Sequence, residues 1–168
     1  MLETVEDITL IPEPTDKRLT PTEKVRYRQH RKRFREWLHT IGKNPGRAEG
    51  YALTTIKSRM YRADKFFRWV WANETDGFTL QITTAHADAF MEHLAKSDQG
   101  RSYKADLQKA VKAYFRFEGT DWEPEIVFSD PSRPSVSKSV LTIKEWDRVR
   151  DAAASYGARI DYHNVTPA

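Results

Sequence analysis

Two runs of the chain carry side chains suited to holding phosphate. In TTIKSRMYRADKFFRWVWA, residues 54–72, Lys57, Ser58, Tyr61, Arg62, Lys65 and Arg68 recur at helical spacing. In RSYKADLQKAVKAYFRFE, residues 101–118, Arg101, Lys104, Gln108, Lys109 and Lys112 do the same. Guanidinium and ammonium groups neutralise phosphate, while hydroxyl and amide groups bond phosphate oxygens or base edges. A third stripe, Arg28, Arg31 and Arg35, lies earlier in the chain and is expected to add phosphate contacts. The aromatic residues among these cations, such as Phe66, Phe67 and Tyr114, have core spacing rather than the look of stacking platforms.

Other chemistries find no foothold in the sequence. Gly42 and Gly46 are turn residues and form no phosphate-binding fingerprint. His86 and His93 could share one side of a helix, but no third ligand stands near them in sequence, and the chain has no cysteine. No Ser, His and Asp order suggests a triad, and Asp121 and Glu123 fall in a segment read as a linker. The expectation is a non-enzymatic chain with no metal and no cofactor.

The elements that must position the cations follow from local signals. Thr20-Pro21-Thr22-Glu23 forms a capping box with proline at the first helical position, predicting a helix to about Ile41 that ends at Gly42. Tyr27, Phe34, Leu38 and Ile41 form its apolar face. After the Asn44-Pro45-Gly46 turn, a second helix is predicted from about residue 52–54 to Asn73, with Ile56, Met60, Ala63, Phe67 and Val70 inward. Thr83 or Thr84 caps a third over 85–96, short and acidic. A fourth follows Gly100, with Tyr103, Leu107, Ala110, Val111 and Tyr114 inward. Residues 1–19 read as a flexible acidic tail, residues 119–141 as a proline-containing linker, and Thr142-Ile143-Lys144-Glu145 as the start of a further unit, residues 142–168. The fold class is all-α, with the helical domain at 20–118.

Charge agrees with a polyanionic partner. The net charge is only +4, but Lys and Arg outnumber acids eight to two over 20–43, six to two over 47–73 and five to two over 100–118. Such clustering marks a protein built to meet a polyanion. No basic leader and no long apolar run is present, so a cytoplasmic protein with no membrane partner is expected.

Three blocks together resemble the N-terminal core-binding domain of the tyrosine recombinases, the phage-integrase family, and in style its archaeal members. TIKSRMYRADKFFRWVW resembles the second helix of that domain, with Phe66 and Trp69 at its end. SYKADLQKAVKAYFRFEG resembles its last helix. LTIKEWDRVRDAA, residues 141–153, resembles the opening of the catalytic domain. The resemblance implies a four-helix, SAM-like bundle that clamps one face of double-stranded DNA in integration and recombination, with other recombinase protomers on the same DNA. It also implies a partner domain with a Tyr nucleophile assisted by Arg, His and Lys. The chain departs from that pattern because it ends before such machinery. Gly157-Ala158-Arg159 comes too soon and lacks the following Glu, and Tyr156 and Tyr162 are rejected as nucleophiles on the same ground.

The sequence therefore leads to a DNA-binding domain whose second and fourth helices lie at the major groove. Two rivals stand beside it: a protein-interaction module whose first-helix cations bind an acidic partner or the chain's own acidic tail, and a regulator that occupies a recombination site without cutting it.

Overall fold

The computed structural model describes residues 2–129 and, beyond them, only Arg148, Arg150 and Asp151. The chain divides into two units, residues 1–130 and 131–168. Apart from Arg148, Arg150 and Asp151, the further unit expected from Thr142 lies outside the described residues, as do residues 130–141 of the expected linker.

The protein is all-α. Its helices are α1 (Glu13–Asp16), α2 (Pro21–Thr40), α3 (Leu53–Asn73), α4 (Thr84–Lys96) and α5 (Arg101–Phe117), with 3-10 turns at Val5–Asp7 and Pro45–Arg47 and no strand among the described residues. The predicted starts hold for local reasons. At the head of α2, the Glu23 amide donates to Thr20 Oγ1 at 3.3 Å, and the Thr20 amide donates to the Glu23 carboxylate at 2.8 Å. Thr83 and His86 make the equivalent pair at α4. These bonds satisfy amides that have no partner inside the helix. At Gly50 the chain passes so close to the end of α2 that a Cβ would fall 1.6 Å from the His39 carbonyl oxygen. Only glycine permits that approach, which lets the Tyr51 amide donate to the Leu38 carbonyl and aims the chain into α3.

α3 and α5 are the most closely apposed pair, with α2 and α4 packed on both. Tyr27, Phe34 and Leu38 of α2 meet Ile56, Met60, Phe66, Phe67 and Val70 of α3 in one core with Leu107, Val111, Tyr114 and Phe115 of α5. The Phe67 and Tyr114 rings lie edge to face at 4.7 Å, the preferred geometry for aromatic pairs. Each fully buried side chain of this size contributes roughly 1.5–3 kcal/mol through removal from water.

Two segments differ from expectation. Of the segment 1–19, expected as a flexible acidic tail, the described part is held on the bundle: Ile8 and Leu19 are buried in the core, and Thr15 donates to buried Asp64 at 2.6 Å. Two apolar anchors outweigh the acidic composition. Residues 119–129, expected as linker, are also held. Trp122 is buried and donates from Nε1 to Asp88 at 2.9 Å, and Phe128 packs on the core cluster. Val127, by contrast, is exposed.

Candidate nucleic-acid interface

The cation-bearing sides of α3 and α5 meet. Lys65 donates to the Tyr103 hydroxyl at 2.7 Å, and its ammonium lies 5.2 Å from the Tyr61 ring centroid and 5.1 Å from that of Tyr103. Arg62 approaches Asp106 at 3.7 Å, and Lys109 reaches the same carboxylate at 3.7 Å. Arg62 also donates to Ser58 one turn earlier. Asp106 thus sits among several cations, Arg59 included, which feels its charge. Burial holds the Arg59 guanidinium below its ordinary pKa, with Tyr51 and Asp106 acting in the opposite direction.

Both ends of this surface carry a carboxylate. Lys57 is paired with Glu3, and the adjoining groove is lined by Glu3, Asp7 and Glu13 beside Tyr61. Lys112 bonds Glu123 at 2.9 and 3.0 Å. All of these pairs have exposed or half-exposed members, and such pairs are worth about 0–1 kcal/mol. Tyr61 is half exposed. Arg101 and Arg28 are exposed and make no ion pair among the described residues.

Four of the expected phosphate or base contacts are instead committed to the interior. Arg31 is fully buried, donating from Nε to the Leu10 carbonyl at 2.8 Å and from Nη2 to the Met60 carbonyl at 2.7 Å. Arg35, 3 % exposed, donates to the carbonyls of Glu6 and Ile8 and to the Glu6 carboxylate. Both guanidinium groups serve as scaffolds that hold the N-terminal segment on α2. Lys104 is buried and donates to the Ser97 carbonyl at 3.0 Å, at the negative end of α4. Gln108 is buried, donating to the Ile126 carbonyl at 2.6 Å and accepting from the Phe128 amide at 3.0 Å. Its amide pins residues 126–128 in place and also donates to Met91 Sδ at 3.3 Å, so both of its donors are spent in the interior.

Arg68 is intermediate. Its Nε donates at 3.0 Å to Asp64, a fully buried carboxylate that also accepts from Thr15 and from Tyr27, the latter at 2.7 Å. Three donors stabilise that buried charge. Arg68 remains about one-fifth exposed, with donors to spare beyond Nε.

Two residues of the surface are not among those the sequence singles out: Tyr103, whose spacing assigns it to the core, and Arg59, which lies within the field of Asp106. Nothing in the local pattern separates a half-buried tyrosine from a buried one.

Among the described residues, no helix is long and apolar enough to cross a membrane, and no group of three His, Cys, Asp or Glu is placed to hold a metal ion. No protein-family model, curated protein or solved structure matches this chain.

Proposed function

We propose that this chain binds double-stranded DNA through the joined faces of α3 and α5, as the core-binding domain of a site-specific tyrosine recombinase would. The observation that carries the reading is the Lys65–Tyr103 and Arg62–Asp106 contact pair, which puts the cations of two helices on one surface. The carboxylates on and beside that surface, Glu3, Asp7, Glu13, Asp106 and Glu123, are still fewer than its cations: Lys57, Arg59, Arg62, Lys65, Arg101, Lys109 and Lys112. Exposed pairs are weak, and a phosphate backbone supplies many charges at once, so duplex DNA displaces the carboxylates. Most contacts position the duplex, with Ser58 and Tyr61 the best placed to read bases.

The SAM-like arrangement, a role in integration or recombination, other recombinase protomers on the DNA and a cytoplasmic location belong to this proposal and rest on the sequence resemblance. Strand cleavage is not proposed for these residues.

The test is a duplex titration of the full chain with Lys57→Ala, Arg101→Ala and Lys109→Ala combined. All three side chains are exposed or half exposed, so folding is preserved. The expected result is a loss of at least about tenfold in affinity at physiological salt, with Lys96→Ala on α4 neutral. Equal loss from Lys96→Ala, or none from the triple change, rejects the surface. Absence of duplex binding by the unaltered chain favours the protein-interaction module.

A further inference from the structure

A groove of about 380 Å³ runs between α3, α4 and the start of α5. Its lining includes Arg18, Lys65, Arg68, Trp69, His93 and Tyr103, and no carboxylate among the described residues. The groove beside the N-terminal segment, by contrast, is lined by Glu3, Asp7 and Glu13. Cations therefore gather here with no carboxylate in the groove wall, and the one counter-charge they meet among the described residues, Asp64 on Arg68, is fully buried. Arg18 is exposed and makes no ion pair among the described residues. Arg68 spends Nε on Asp64, leaving the donors of its terminal nitrogens. On one wall, the half-buried Trp69 ring lies 5.2 Å from Phe90 and 5.3 Å from His93, so the aromatic wall is backed by the core. Tyr103 forms another wall and holds the Lys65 ammonium.

Aromatic walls with a cationic rim fit a planar ring bearing a phosphate. The volume is at the small end for sites that enclose organic ligands and far below that of a duplex segment. We propose that this groove seats one unstacked nucleotide of a nucleic-acid strand, its base against Trp69 and its phosphate among Arg18, Lys65 and Arg68. Every base has a π-face, so such a seat accepts a base without regard to sequence. The proposal rests on the DNA-binding reading and deepens it: a domain gripping duplex on α3 and α5 would capture a nucleotide displaced beside it, through Lys65, which belongs to both surfaces.

The experiment titrates the full chain by fluorescence anisotropy with two labelled duplexes, identical except that one carries a single unpaired thymidine. The unpaired duplex should bind about tenfold tighter, the lower part of the range for stacking one base on an aromatic side chain. Trp69→Leu and Arg18→Ala should each remove most of that preference while leaving affinity for the paired duplex within about twofold. Equal affinity for the two duplexes in the unaltered chain overturns the groove proposal and leaves the DNA reading standing. A preference that survives both substitutions also overturns it, because bulge flexibility alone then explains the result. Arg18 is exposed, so its variant keeps the test decisive if Trp69→Leu fails to fold. Failure to bind either duplex overturns both proposals.

Discussion

The Lys65 ammonium is bound to the Tyr103 hydroxyl at 2.7 Å and lies against the rings of both Tyr61 and Tyr103. A cation of α3 is thereby joined to the first turn of α5. Tyr103→Phe keeps the ring and removes the acceptor. It should lower unfolding free energy by about 0.5–1.5 kcal/mol in urea titration. Duplex affinity should not fall, since the released ammonium is free for phosphate. A weaker complex would mean that the hydroxyl itself contacts DNA.

Asp106 opposes DNA on this account, because it sits 3.7 Å from both Arg62 and Lys109. Asp106→Asn removes its charge and retains its shape. The expected outcome is duplex binding tightened several-fold, with stability changed by no more than about 0.5 kcal/mol. Looser binding would show that Asp106 orients the cations for the ligand.

Arg31 and Arg28 stand three residues apart with opposite fates. Arg31→Ala leaves the Leu10 and Met60 carbonyls without their donor and opens a cavity, so a loss of about 3 kcal/mol or more is expected in urea titration. Arg28→Ala should alter stability by less than about 0.5 kcal/mol. Similar stability of the two variants would contradict the scaffold role of Arg31.

His30 is buried 3.1 Å from the Tyr114 hydroxyl, and burial, aided by the charges of Arg33 and Arg31, lowers its pKa to about 4. The same burial, with the Glu118 carboxylate adding to it, raises the Tyr114 phenol well above its ordinary range. The unfolded chain takes up a proton on His30 near pH 6.5, while the folded chain resists until about pH 4. The stability from neutral His30 is therefore complete above pH 6.5 and is lost as pH falls from there to about 4. Its span is on the order of 3 kcal/mol. Urea titrations from pH 8 to 4 should show that decline, and His30→Gln should flatten it. An unchanged slope in the variant would place the pH dependence on other groups.

The four long helices were legible because their signals are local. Thr20 and Glu23 announce α2, Thr83 announces α4, and Gly100 precedes α5; each observed boundary lies within about two residues of the expected one. The buried cations were not legible by charge, although spacing held a clue. Arg31 follows Tyr27 by four residues and precedes Leu38 by seven, which places it on the core face. What made it buried is a set of acceptors, the Leu10 and Met60 carbonyls, 21 and 29 residues away. Gln108, beside Leu107 and Val111, likewise finds its partners 18 and 20 residues downstream. The packed N-terminal segment escaped notice because two anchors, Ile8 and Leu19, sit among acids and prolines. Local periodicity carries no information about such distant partners.

The salt dependence of duplex DNA binding reports how many phosphates the α3–α5 surface holds. If the α3–α5 surface neutralises about six phosphates, log affinity should fall against log salt with a slope near −5. A slope near zero, or no duplex binding at low salt, would contradict the account.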